Sequence, residues 1–111
     1  MNGSDFLNAV EKQCFPAKHI WIFTSDDGWS DTYSDLYPIA NEYQVPFFLG
    51  IITNRLDTPG FITTEQVQEI SRNPLFSISS HSITHSEQNK MNSNTETQEM
   101  CESKIALEKL T

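Results

Sequence analysis

Cations and cysteines are scarce in this chain of 111 residues, and each shortage excludes a class of function. Only 7 Lys and Arg residues stand against 15 Asp and Glu residues, which gives a formal net charge of -8. Nucleic-acid backbones and anionic membrane surfaces are both bound by clustered cations, so neither is an expected partner. A neutral or cationic ligand suits the charge better, and we expect no insertion into a membrane.

The two cysteines, Cys14 and Cys101, are too few and too distant for a disulfide framework, and we predict free thiols on helices. Residues 1–15 lack the basic start and apolar run of a signal peptide. No stretch reaches the ~20 apolar residues that a membrane-spanning helix needs. We therefore expect a soluble chain, which could still be a trimmed piece of an exported protein.

Three short runs rich in apolar residues predict strands, at residues 20–23, 47–52 and 75–79. The first two lack the alternation of a half-exposed strand, which indicates burial on both faces, as in a parallel sheet. Helical patterns precede, separate and follow these runs. One helix followed by three β–α units predicts an α/β fold with a parallel sheet and right-handed crossovers.

Four helices are predicted from their cap residues and from apolar residues at helical spacing. Pro38 is expected to kink or restart the second helix. The third and fourth each begin with a capping box, a Ser or Thr followed three residues later by Gln or Glu. The expected start positions are Ser4, Ser30, Thr63 and Ser93. The predicted apolar stripe of the last helix is Met100, Cys101, Ile105, Leu107 and Leu110.

Polar clusters follow the first and the third predicted strands, as Ser25-Asp26-Asp27-Gly28 and as residues 80–85. The carboxyl ends of parallel strands lie at one edge of a sheet, where ligands bind in α/β folds. The second cluster contains His81 and His85, whose spacing lets both rings point the same way. Two imidazoles and one carboxylate are the donor set of a catalytic zinc site, and a second carboxylate could take a proton from water.

Each cluster alone has a plainer interpretation. Asp-Asp-Gly is a common turn, and a pair of histidines four residues apart on a loop is often structural or incidental. Together, at matching strand ends, the two clusters favour a site. Trp29 and Tyr33 could stack on a sugar, but packing against the protein is an equally good interpretation.

At these residues the sequence resembles the polysaccharide deacetylase family, also called the NodB homology domain or carbohydrate esterase family 4. The matching segments are residues 23–29, 36–40, 43–48 and 80–85. The order and spacing of the segments match as well, and the resemblance extends from about Phe15 to the last residue. It implies an incomplete β/α barrel. It also implies a metal-dependent hydrolase that removes acetyl groups from N-acetylated hexosamine glycans.

The same resemblance assigns roles to six residues. Asp26 would be the general base. Ser82 and Thr84 would orient the segment between His81 and His85 through hydrogen bonds, as metal ligands usually require. The divalent metal would be Zn, with Co or Ni as alternatives, and its ligands would be Asp27, His81 and His85.

The chain also departs from the family pattern. Ser25 stands where an aromatic residue is usual. Later motifs are absent, namely an Arg that holds the base, the lining of the acetate pocket and a His that acts as acid. We expect residues 1–111 to form a single, truncated domain whose unpaired sheet edges pair with a second copy or another chain. If the chain is trimmed, the family suggests a cell-surface or extracellular location.

Two alternatives to the enzyme therefore stay open. The chain could be a non-catalytic accessory subunit that binds metal or glycan. It could also be a fragment whose pocket another chain completes.

Overall fold

A parallel sheet of three strands with helices packed against it organises the protein. The structure is a computed structural model and describes residue 1 and residues 3–111. Short turns of π-helix and 3-10 helix occur at Thr32–Leu36, Thr53–Arg55 and Gln88–Lys90. The strands are β1 (Phe23–Ser25), β2 (Phe47–Ile51) and β3 (Ser77–Ser80). The helices are α1 (Gly3–Glu11), α2 (Tyr37–Glu42), α3 (Thr64–Ser71) and α4 (Ser93–Leu110).

The strands lie side by side in chain order, with β2 in the centre. Phe23 of β1 pairs with Phe47, and Ser77 of β3 pairs with Phe48, all in parallel. The predicted α/β fold with parallel β–α units is therefore confirmed. The sheet does not close on itself, as expected for part of a barrel.

The hydrophobic core forms around β2, as its unbroken apolar run predicted. Leu49 and Ile51 are almost fully buried on this strand. Helix α3 covers one side of the core with Val67 and Ile70, and α4 contributes Leu107. Phe47, Leu49 and Ile51 alternate along β2 and so point into this one core, while Phe48 on the opposite face is only half-buried.

The prediction of a buried first strand over residues 20–23 was wrong in position and in burial. The strand begins at Phe23, and in the described part of the chain it pairs with β2 alone. Trp21 is 77 % exposed and Phe23 is 53 % exposed. An edge strand with only one neighbour leaves one side open, so apolar composition by itself did not reveal its place in the sheet.

The last helix also differs from its prediction. It begins at Ser93, but the capping residue is Asn92, whose side-chain oxygen accepts hydrogen bonds from the amides of Asn94 and Thr95, both at 3.0 Å. Met100 and Ile105 of the predicted stripe are about half exposed, at 51 % and 48 %, because α4 contacts the core mainly through its last turns.

Other sequence predictions have mixed outcomes. Pro38 was expected to kink or restart the second helix; it lies in the first turn of α2 directly after the π-helical turn, and the helical backbone continues across that junction with a change of hydrogen-bond pattern. Cys14 and Cys101 are free and exposed, but Cys14 lies beyond the end of α1 and so is not on a helix. None of the helices within the described residues is long and apolar enough to cross a membrane.

The predicted capping box at the start of α3 is confirmed. The Thr63 hydroxyl accepts from the Gln66 amide at 3.3 Å, and the Gln66 side chain accepts from the Thr63 amide at 2.9 Å. Two backbone donors that the helix cannot satisfy internally therefore have partners.

Replacing Thr63 with Ala should lower the free energy of unfolding by about 1 kcal/mol, the usual effect of removing an N-cap hydroxyl. Denaturant unfolding measures this change. Thr97→Ala is the matched control, because Thr97 is exposed inside α4 and Ala is the better helix former there. Equal stability of Thr63→Ala and the wild type would show that the cap contributes nothing.

Candidate metal centre

The residues singled out in the sequence lie at one edge of the sheet, beyond the carboxyl ends of its outer strands. Asp26 and Asp27 follow directly after β1, and His81 follows directly after β3. The His81 amide donates to the carbonyl of Ile51 at 2.9 Å, which extends the pairing of β3 with β2 by one residue. The parallel register therefore brings both polar clusters to the same end of β2.

Asp27, His81 and His85 converge on one point. The Nε2 atoms of His81 and His85 lie 3.4 Å and 3.6 Å from Oδ1 of Asp27. One donor atom from each residue lies within 4.8 Å of the others. The two imidazole rings are 4.8 Å apart between centroids and tilted by 38°.

This donor set fits a divalent metal ion. Zn–N and Zn–O bonds of about 2.0–2.2 Å at tetrahedral angles place two ligand atoms roughly 3.3–3.5 Å apart. The two distances from the histidines to Asp27 Oδ1 are 3.4 and 3.6 Å, close to that spacing. Three protein donors, two nitrogen and one oxygen, leave room for water or substrate, which is the pattern of catalytic rather than structural zinc sites.

The backbone of the centre is strained where the ligands lie. Asp27, Ser82 and His85 have φ angles of 72°, 65° and 60°, in the left-handed region. For residues other than glycine this conformation is uncommon and costs about 1–2 kcal/mol. Gly28, with φ 78°, continues the turn after Asp27, and its carbonyl accepts from the Ile62 amide at 2.9 Å. Strained residues of this kind cluster at functional sites.

Trp29 holds the second oxygen of the Asp27 carboxylate. Its indole N–H donates to Oδ2 at 3.2 Å, while Oδ1 faces the histidines. The indole also stacks on Phe61, with ring centroids 4.4 Å apart. The sequence left two interpretations open for Trp29, sugar stacking and packing against the protein. These contacts directly support packing.

Tyr33 has a packing role. Its hydroxyl donates to Glu69 on α3 at 2.7 Å, and its ring stacks on Tyr37. The hydrogen bond to the Glu69 carboxylate, together with partial burial, raises the pKa of Tyr33 above its usual range. The structure therefore gives no support to sugar stacking at this residue.

Asp26 is exposed and lies over β2 beside His81. A Cβ atom added to Gly50 would be 3.3 Å from Oδ1 of Asp26 and 3.5 Å from Cβ of His81. Gly50 thus leaves the space in which these two side chains approach each other. The signal for it in the sequence was a single glycine inside an apolar strand, which often marks a close approach.

Ser82 and Thr84 both belong to the hydrogen-bond network of the histidine loop, defined as residues 82–84. The Ser82 hydroxyl accepts from the His85 amide at 3.0 Å. The Thr84 hydroxyl donates to Oε1 of Glu99 at 2.9 Å. These contacts agree with the expected orienting role, which stays a prediction.

Glu99 is a residue of this network that gave no signal in the sequence. Partial burial raises the pKa of Glu99, but hydrogen bonds from the Thr84 amide and hydroxyl and from the Ile83 amide outweigh that effect, so its pKa lies below the usual value. The carboxylate is therefore ionised at neutral pH, although it lies against the loop.

The comparisons with known proteins agree with this architecture. The sequence profile of the family named polysaccharide deacetylase matches residues 12–111. A protein of Bacillus subtilis (strain 168), YxkH, whose name describes it as a polysaccharide deacetylase, is 32 % identical over 89 residues. That alignment covers 80 % of this chain and 32 % of the relative.

Solved structures of deacetylases share the fold. The Streptococcus pyogenes deacetylase PplD, solved in complex with acetate, superposes with a TM-score of 0.91 at 25 % identity, over 99 % of this chain and 49 % of that chain. A polysaccharide deacetylase from Bacillus cereus superposes with a TM-score of 0.71 at 25 % identity, over 79 % of this chain and 28 % of that chain. The chain thus spans about half the length of PplD and a smaller share of the Bacillus subtilis and Bacillus cereus proteins. On its sequence and its fold alike, it belongs to the polysaccharide deacetylase family of hydrolases.

Proposed function

We propose that this chain supplies the metal-binding half of a deacetylase that hydrolyses acetamide groups on N-acetylated hexosamine glycans. The observation that carries the proposal is the convergence of Asp27, His81 and His85 next to Asp26 at the carboxyl edge of the sheet. Membership in the deacetylase family supports the reaction class. Acetate, which is the expected product, is the molecule named in the complex of the similar PplD.

In this proposal the metal ligands are Oδ1 of Asp27 and the Nε2 atoms of His81 and His85. Zn is the first candidate, with Co and Ni as alternatives, because imidazole and carboxylate donors suit all three. The bound ion would acidify water and polarise the acetyl carbonyl. Trp29 would keep Oδ2 of Asp27 turned away from the histidines by holding it in a hydrogen bond.

Asp26 is the proposed general base. Its carboxylate would accept a proton from the attacking water as the oxygen of that water bonds to the acetyl carbon. Breaking of the C–N bond then yields acetate and a free amine on the sugar. The amine needs a proton as it leaves, and we assign the donor to the part of the pocket that another chain or a second copy supplies.

The remaining part of the pocket would come from another chain or a second copy, with residues 1–111 acting as one domain. Two features support this: β1 has one unpaired edge, and an apolar groove of about 330 Å³ lies between β1 and α2. Exposed apolar side chains line this groove, including Phe23, Ile39 and Tyr43. Edges of this kind readily accept another strand. Acetylated glycans of cell surfaces would make a surface or extracellular location natural.

A second candidate function is metal or glycan binding without catalysis. The observation in its favour is that the chain matches only part of its relatives, 49 % of PplD and 32 % of the Bacillus subtilis protein.

After chelation, the metal-free chain should bind one Zn²⁺ or Co²⁺ ion. Ala substitution of Asp27, His81 or His85 should weaken binding by more than about 100-fold, because loss of a supporting residue alone costs 10–100-fold. Calorimetry measures the affinity. In a Trp21→Phe background, the fluorescence of the one remaining tryptophan, Trp29, should fall on Co²⁺ binding.

The third histidine of the chain, His19, is the matched control for this experiment. His19→Ala should bind as tightly as the wild type. Failure of the wild type to bind a stoichiometric ion would refute the metal centre.

Asp26→Asn should reduce acetate release from acetylated chitooligosaccharides by at least about 100-fold, the usual contribution of a general base. Metal affinity should change little, since Asn has the same shape. If a second copy completes the pocket, specific activity will fall on dilution. Asp31→Asn, which removes an exposed carboxylate nearby, is the control. A wild type that binds metal and glycan yet releases no acetate at any concentration would favour the accessory function.

Gly50→Ala should lower the rate of acetate release about 10-fold, because a methyl group 3.3 Å from Oδ1 of Asp26 displaces the base. The unfolding temperature should stay within a few degrees of the wild type. The double variant Gly50→Ala, Asp26→Asn tests the cause. If Gly50 acts through Asp26, the double variant will be no slower than Asp26→Asn, whereas additive losses would contradict this.

A further inference from the structure

The histidine loop places the two imidazoles, yet its own backbone has an irregular conformation. Ser82 within the loop and His85 directly after it are both left-handed, at φ 65° and 60°. A loop of this shape leaves amides that pair with no strand or helix, and each needs another acceptor. The His85 ring is exposed, so its position depends largely on the backbone that carries it.

The amides in the middle of the loop are bound by one carboxylate. Oε2 of Glu99 accepts from the amides of Ile83 at 2.9 Å and Thr84 at 2.8 Å. Oε1 of Glu99 accepts from the Thr84 hydroxyl at 2.9 Å. Both oxygens of a single side chain therefore contact the three-residue segment that joins the two histidines. Hydrogen bonds to an ionised acceptor are about twice as strong as those between neutral groups.

Helix α4 presents a second residue to the same loop. Ser103 lies one turn after Glu99, so the two side chains share a helix face. Ser103 is fully buried, and its hydroxyl donates to the Ser82 carbonyl at 3.0 Å. The Ser80 hydroxyl in turn donates to Ser103 at 2.7 Å. The helix thus contacts the loop at both ends.

The turn after β2 holds the loop from the other side. The amides of Thr53 and Asn54 donate to the carbonyls of Ser82 and Ile83, at 3.2 and 3.1 Å. The loop therefore lies between two supports: the turn after β2 binds its carbonyls, and α4 binds its amides and the Ser82 carbonyl. Glu99 is the charged member of this set of contacts.

We propose that Glu99 is a positioning residue, which fixes the histidine loop so that the Nε2 atoms of His81 and His85 both face Oδ1 of Asp27. The inference rests on the proposed metal centre. Without the Glu99 carboxylate the amides of Ile83 and Thr84 would turn toward water. The His85 ring would then move away from Oδ1 of Asp27. An Ala substitution leaves all three ligands in the chain but no longer holds them together.

The test compares Glu99→Ala and Glu99→Gln with Glu102→Gln, which removes the same charge from an exposed position of the same helix. Zn²⁺ affinity should fall by about 10–100-fold in Glu99→Ala, as for other residues that orient ligands. Glu99→Gln should recover part of the loss, because its amide oxygen still accepts a hydrogen bond. Glu102→Gln should bind like the wild type.

Hydrogen exchange of the metal-free proteins gives a readout independent of the ion. The amides of Ile83 and Thr84 should exchange at least about 10-fold faster in Glu99→Ala, while amides of β2 keep their protection. Uniformly faster exchange would indicate a general structural role and overturn the proposal. If Glu99→Ala does not fold, the same comparison is made with Glu99→Gln.

The outcomes separate this inference from the function on which it rests. A wild type that binds no Zn²⁺ would remove the metal centre itself, and the positioning role with it. A wild type that binds Zn²⁺, with unchanged affinity in Glu99→Ala, would overturn the role of Glu99 alone.

Discussion

Burial of the central strand against the helices is the interaction on which the other elements of this protein depend. Leu49 and Ile51 are no more than 1 % exposed, and burial of each such side chain contributes about 1.5–3 kcal/mol. Once β2 is fixed in the core, β1 and β3 can pair only along its two edges. The parallel register then places the residues after both outer strands at the same end, where Asp27 meets His81.

Local signals in the sequence were sufficient for some of this structure and insufficient for the rest. The capping box of Thr63 lies within four consecutive residues, so its prediction needed no knowledge of the fold. The place of β1 depends on which strands lie beside it, and its apolar residues look the same at an edge as in the centre. Asn92 and Ser93 are both good caps, so their order could not be decided from residue preference.

The candidate site likewise contains residues that the sequence predicted and residues that it could not predict. Parallel strands share a carboxyl edge, and this rule was enough to predict that Asp27, His81 and His85 come together, although their roles stay proposals. Glu99 could not have been found by it, because its partners lie 15 and 16 residues earlier in the chain and depend on how α4 packs. Gly50 could be recognised as a glycine inside a strand, but its closeness to Asp26 and His81 could not be read from the sequence.

The supports of the histidine loop have a consequence for how the protein would acquire its ion. Peptide hydrogen bonds from the turn after β2 and side-chain hydrogen bonds from α4 hold the loop, so the metal-binding atoms are arranged by the polypeptide itself. Zinc fingers, by contrast, fold only as they bind metal. Here loading would be a simple bimolecular capture from solvent by a folded protein. Occupancy would then follow the free metal concentration of the surroundings, with no folding step between an empty chain and a loaded one.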